Sequence, residues 1–183
     1  MTRNFTNIAF TPGVKATQTK YGSREIYEKF AQGKVIEDIL TTKEEEFISA
    51  RDSFYMGTVS SNNYPYIQFR GGATGFLKII DEKTLGFVDF TGNLQYVSVG
   101  NLLENDRVFL FLMDYAHRRR LKIWGRAQVI DNNPELLEQL SVPDCPAEKA
   151  RVILIKVEAM NWNCPQHIPI RYNEAEVAQI KAP

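Results

Sequence analysis

Hydrophobic and polar positions alternate in short runs over most of the chain after Phe54, the period-two pattern of half-buried strands. Phe54 to Ser60, the turn Ser61-Asn62-Asn63, and Tyr64 to Arg70 read as a hairpin. Further strands are predicted at Phe76–Ile80, Thr84–Phe90, Arg107–Met113, Leu121–Ile130 and Arg151–Met160, several with β-branched or aromatic residues in alternation. Six or seven strands within about 110 residues leave little room for parallel crossovers, so the pattern predicts a mainly β barrel with peripheral helices.

The helices are short. Ser23 is placed to cap a helix from Arg24 to about Gln32, stopped by Gly33, and Thr41 or Thr42 with Glu44 or Glu45 forms a capping-box pattern for a helix running to about Arg51. Val97 to Glu104 reads as a third, and Asn133-Pro134 opens a fourth over Glu135 to Leu140. Residues 1–22 are rich in Thr, Asn, Gln and Gly without periodicity and are expected to form an extended arm. No repeat, low-complexity tract or linker divides residues 1–183, so a single domain is expected, with its barrel core over 40–172.

Composition narrows the function classes. Lysine plus arginine and aspartate plus glutamate both number 22, which gives no reason to expect nucleic acid or an anionic membrane as partner. Cys145 and Cys164 each precede a proline and form no C-x-x-C pair, so neither a metal site nor a thioredoxin-type centre is indicated. The chain starts without a signal-peptide pattern and has no apolar run of about 18 residues, and a cytoplasmic location is expected.

Two segments carry candidate chemistry. Arg70-Gly71-Gly72-Ala73-Thr74-Gly75-Phe76-Leu77-Lys78 sets three glycines between two cations, where main-chain N–H groups can approach an anion and Arg70 can bind a phosphate through two parallel hydrogen bonds. The plainer reading is a glycine-rich bulge with solvated cations at its rims. Asp89-Phe-Thr91-Gly-Asn93-Leu-Gln95-Tyr-Val-Ser98 offers neutral amides for a ring edge and a hydroxyl near a helix start for a phosphate; its plainer reading is a turn and a cap. In His117-Arg118-Arg119-Arg120 most charges belong to a solvated turn, and Arg120, which begins a strand, is the candidate ligand. No side chain is assigned to proton transfer.

The succession of the hairpin, the Arg70–Lys78 segment, Gly86-Phe-Val-Asp-Phe-Thr, Gly100-Asn-Leu-Leu-Glu-Asn-Asp-Arg-Val and Leu121–Ala127 resembles the FMN-binding split barrel of the pyridoxamine 5′-phosphate oxidase family. Arg70-Gly-Gly, Gly92-Asn93 with Ser98, and Asn163-Cys-Pro-Gln166-His167-Ile resemble a bacterial flavin-nucleotide-binding group related to that oxidase. The resemblance implies FMN at the boundary of a homodimer with residues of both chains in each site, and a flavin-dependent oxidoreductase of unidentified substrate. The alternatives are a flavin sensor or storage module without turnover, or a relative binding haem or a deazaflavin. It assigns to the cofactor Arg70, Gly71, Gly72, Gly75, Phe76, Lys78, Asp89, Thr91, Asn93, Gln95, Ser98 and Arg120, with Trp162, Asn163, Gln166, His167 and Arg171 of the tail completing the opposite subunit's site. The oxidases carry Arg-x-x-Leu-Leu-Lys where this chain has Ala73–Lys78, and Ser-Arg-Lys where it has Gln95–Ser98 without a basic residue, so oxidation of vitamin B6 is not implied.

Overall fold

In β5 (Arg107–Asp114) every second side chain, from Val108 through Leu110 and Leu112 to Asp114, is buried, as strand alternation requires. The computed structural model describes residues 4–33, 38–142, 149–162 and 165–181. Its other strands are β1 (Ser53–Val59), β2 (Pro65–Gly71), β3 (Lys78–Asp81), β4 (Thr84–Phe90), β6 (Arg119–Ile130) and β7 (Lys149–Trp162). All pair antiparallel in one sheet of order β2-β1-β5-β6-β7-β4-β3. The predicted strands are all present.

The sheet curls so that its distant members meet. Phe54 of β1 lies 5.4 Å from Phe87 of β4, edge to face, and stacks on Phe76 at 5.5 Å. Burying each ring contributes about 1.5–3 kcal/mol. Leu110, Leu121, Ile123, Ile153 and Ile155 complete the interior. The main core is thus the inner face of one rolled sheet, and a smaller cluster of Val88, Val152 and Leu140 forms beside it.

Helices cover the ends. They are α1 (Asn4–Ala9), α2 (Pro12–Lys20), α3 (Arg24–Ala31), α4 (Thr42–Ser49), α5 (Val97–Glu104), α6 (Pro134–Leu140) and α7 (Glu174–Lys181). At α4 the capping box forms, with Glu44 accepting from both the N–H and the hydroxyl of Thr41. Asn133 caps α6 by accepting from Leu136 N–H at 3.0 Å. Ser23 makes no side-chain cap bond at α3.

The amino-terminal segment departs from expectation: it is helical, not an extended arm. Thr11 accepts from Val14 N–H at 3.3 Å and Pro12 begins α2, so a capped start with a first-turn proline overrides weak periodicity. Phe5 of α1 anchors the segment 5.2 Å from Trp124 of β6, while Phe10 meets Tyr27 of α3 at 5.6 Å. The helix α7 was not anticipated; Asn173 and Glu176 cap it by exchanging two bonds of 2.8 Å.

Candidate functional site

Tyr66, Gln68 and Arg70 alternate along β2 with Ile67 and Phe69, so the polar set shares the inner face while the apolar set looks outward. The inner set forms one wall of a cleft of about 230 Å³ whose other walls are Asp89, the loop Thr91–Tyr96, the start of α5 at Val97–Val99, and Arg151 of β7. Asp89 and Arg151 are cross-strand partners, which puts their side chains on the same face. The ladder slips between Asp89 and Phe90, a bulge at the cleft edge.

Arg70 Nη1 donates to Asp89 Oδ1 at 2.5 Å, joining β2 to β4 across the open side of the rolled sheet. Ser98 Oγ donates to Gln68 Oε1 at 2.8 Å, making a second bridge. Arg151 Nε stands 3.8 Å from Asp89 Oδ2 and 3.7 Å from Asp131 Oδ1, ionic contacts longer than hydrogen bonds. Burial raises the Asp89 carboxyl above its usual range, against the pull of Arg70 and Arg151.

Among the described residues, the buried side-chain polar atoms lacking a hydrogen-bond partner are the Nε atoms of Arg70, Arg120 and Arg151. Two of these three line the cleft. An unmet buried donor costs about 1–3 kcal/mol, more when charged, so an ordered water or a ligand is needed to satisfy each. The loop stores strain as well: Leu94 and Tyr96 take φ of 61° and 52°, left-handed values that branched or bulky side chains adopt only where surroundings impose them. The two guanidiniums share the lining with Asp89, while Asp131 on the far side of Arg151 is exposed and screened by solvent, and with hydroxyl and amide groups around them the arginines suit a phosphate monoester. The volume lies below the ~300 Å³ from which enclosed ligand sites start, so the cleft has room for an anionic group and its immediate neighbours rather than for a whole nucleotide.

Of the residues named from sequence, Arg70, Asp89, Thr91, Asn93, Gln95 and Ser98 come together here. Tyr66, Gln68, Tyr96 and Arg151 were missed. Alternation along β2 was enough to place Gln68 beside Arg70, whereas Arg151 is legible only once β7 is registered against β4. Asn93 also accepts from Gln95 N–H at 3.2 Å, the expected turn, while Ser98 does not cap α5.

The glycine-rich segment lies outside the cleft lining, and its amides are engaged elsewhere. Gly72 N–H donates to Asp52 O and Gly75 N–H to Arg51 O, each at 2.9 Å, so these amides do not cradle an anion. Gly75 has φ of +77°, and a Cβ on Gly72 would stand 2.8 Å from the Phe76 ring, so the glycines serve backbone conformation and close packing. Gly71 ends β2 and Lys78 begins β3, and Phe76 is a core residue. Arg120 sits 6.0 Å over Phe111 on the outer face.

Trp162 closes its own barrel end: its Nε1 donates to Glu44 Oε1 at 2.6 Å and its ring meets Phe47 edge-on at 4.8 Å. Arg171 stacks 5.2 Å over Tyr115 and lines a different cleft with Tyr55 and Phe69. Gln166 and His167 are exposed, and Asn163 lies outside the described residues. No described group of His, Cys, Asp and Glu is arranged to hold a metal ion, and no described helix is long and apolar enough to cross a membrane.

The sequence pattern of the pyridoxamine 5′-phosphate oxidase family matches residues 40–162, so the chain belongs to that family. Among solved structures, a candidate pyridoxamine 5′-phosphate oxidase of Lactobacillus delbrueckii is 16% identical, with 68% of this chain and 94% of that one covered at a TM-score of 0.53. The HupZ protein of Group A Streptococcus is 14% identical over 73% of this chain and 100% of that one, with a TM-score of 0.52. A conserved hypothetical protein of Mycobacterium tuberculosis is 14% identical over 78% and 96% of the two chains, at 0.51. These likenesses show the fold, the mainly β split barrel with peripheral helices. No curated protein matches the chain.

Proposed function

We propose that the protein binds FMN, with the phosphate end in the cleft between Arg70 and Arg151, and acts in the cytoplasm as a flavin-dependent oxidoreductase. The observation that carries this reading is the pair of buried arginine Nε atoms left without partners beside a strained polar loop. Family membership supports a flavin over other phosphate esters. Bound FMN supplies the hydride and single-electron chemistry; the chain's residues bind, orient and set the charge around it. Arg70 and Arg151 hold the phosphate, Gln68, Asn93, Gln95 and Ser98 meet the ribityl and ring-edge groups, and Asp89 limits the net charge.

The ring extends beyond the cleft, and the rest of the site comes from a second copy of the chain. The outer face of β2 and β1 supports this: Ile67 is 68% exposed, Phe69 58% and Tyr55 38%, neighbours on one surface. A contiguous exposed apolar face of this kind marks an interaction surface. Across β5 that face continues to Trp124, where Phe5 already covers it.

The absorbance spectrum of the purified protein, followed by mass measurement of what denaturation releases, tests the reading. Flavin bands and the mass of FMN are expected. A haem spectrum, a deazaflavin mass, or failure of the purified protein to take up added FMN overturns it. Reduction by a nicotinamide with rapid reoxidation is expected of the oxidoreductase, whereas a bound flavin that nicotinamides leave oxidised marks a binding module.

A further inference from the structure

We infer that the cleft between the carboxy-terminal tail and strands β1, β2 and β5 is a second ligand site, one that takes a small aromatic carboxylate. Its volume is about 250 Å³, and no residue lines both this cleft and the one at Asp89. Phe69 and Arg70 are consecutive on β2, so strand alternation sends their side chains to opposite faces of the sheet and the two sites stand back to back. Tyr55 and Phe69 are cross-strand partners with rings 5.6 Å apart, and they remain 38% and 58% exposed. Both belong to the face assigned above to a second copy, so the cleft borders that interface. Tyr115, just past β5, is hydrogen-bonded to the Tyr55 hydroxyl, and burial with this bond raises it above the usual phenol range and keeps it protonated.

The charged groups of the lining select the ligand. Arg171 lies with its guanidinium 5.2 Å over the Tyr115 ring and has no ion pair or hydrogen bond among the described residues. The others are engaged: Arg51 donates to the carbonyls of Phe47 and Met113, Asp52 accepts from the Ser53 hydroxyl, and Glu176 accepts from Asn173 N–H. The free fork of Arg171 fits one carboxylate through two parallel hydrogen bonds. Arg51 and Arg171 stand against Asp52 and Glu176, which leaves no excess positive charge for a dianion. The exposed edges and faces of Tyr55 and Phe69 receive an aromatic body, and the volume suits a one-ring acid rather than a nucleotide. The inference does not depend on a flavin in the other cleft.

The test is an NMR titration of the full chain with benzoate, compared with benzamide, acetate and phenyl phosphate, in the wild type and in Arg171→Gln, Arg171→Lys and Tyr115→Phe. Circular dichroism checks folding. Benzoate should bind saturably, and about tenfold more tightly than benzamide, which lacks the charge, acetate, which lacks the ring, and phenyl phosphate, which carries a second charge. Arg171→Gln should erase the preference for benzoate over benzamide, and Arg171→Lys, which keeps the charge without the fork, should retain part of it. Tyr115→Phe frees Tyr55 from its partner and should weaken benzoate less than Arg171→Gln does. Absence of saturable benzoate binding by the folded wild type, or equal affinity for benzamide, overturns the inference. Benzoate binding that Arg70→Ala weakens and Arg171→Gln does not belongs to the other cleft and overturns it too.

Discussion

Arg70 Nη1 and Asp89 Oδ1 meet at 2.5 Å although their strands, β2 and β4, are separated in the sheet by β1, β5, β6 and β7. The ion pair therefore ties the rolled sheet across its split, in a place where no ladder hydrogen bonds run. Because burial raises the Asp89 carboxyl, the folded state holds its proton to higher pH than the unfolded chain does. Stability then falls as pH rises from about 3.9 through the raised value. Urea unfolding across this range should show wild type losing stability relative to Asp89→Asn as pH increases; a gain would mean that the pair depresses the carboxyl instead.

Asp114 should give the opposite slope. It is buried at the β5–β6 turn, where burial raises its carboxyl, but the His117 N–H and ring, Arg119 and Arg51 together outweigh this and lower it. Its contribution is present above about 3.9 and is lost as pH falls through the depressed value. Asp114→Asn should cost about 1–3 kcal/mol at neutral pH, since it loses charge-assisted bonds while the exposed Arg119 stays solvated, and denaturant melts at pH 7 and pH 3 should show the deficit shrinking on acidification.

Gly75→Ala separates the glycine segment from the site. Its φ of +77° and the Ser49 carbonyl 3.1 Å from the added Cβ should cost about 1–2 kcal/mol in thermal or chemical unfolding. FMN affinity, scored on folded protein, should be unchanged. A large loss of affinity at full folding would return this loop to the cofactor site.

Ile67→Glu and Phe69→Glu test the second copy. Both side chains are exposed in the single chain, so folding should change within about 0.5 kcal/mol. Sedimentation should show a dimer becoming monomer, with flavin lost alongside. A dimer that persists in both variants places the interface elsewhere.

Trp162→Phe keeps a ring against Phe47 but leaves Glu44 Oε1 without its donor. A loss of about 1–3 kcal/mol is expected, with the flavin spectrum unmoved. A spectral shift without loss of stability would instead put Trp162 at a flavin.

The strands were legible because β1, β2, β5 and most of β6 alternate in burial and β4 is a short continuous apolar run, and α4, α5 and α6 because their caps or apolar spacing are local. The amino-terminal helices were misread by weighting period over the Thr11-Pro12 start. The site was half legible. Arg70 and the Asp89–Ser98 segment stand out by composition, but Arg151 is 62 positions from Asp89 and only the pairing of β4 with β7 brings it near. That the glycines lie outside this cleft was not legible, because a loop packed against Asp52 and Arg51 has the same composition as one that opens to an anion.

The order of the sheet also bears on how the protein matures. β7 is the strand that joins β2-β1-β5-β6 to β4-β3, and it is the last strand to leave the ribosome. Until it arrives, two partial sheets exist with one raw edge each, along β6 and β4, and neither can acquire its neighbour. Such edges recruit other chains, so nascent or truncated protein ending before Lys149 is the species most prone to aggregate and to need a chaperone. Arg151 lies near the start of that strand, so the cleft and the closed barrel are completed in the same late docking event.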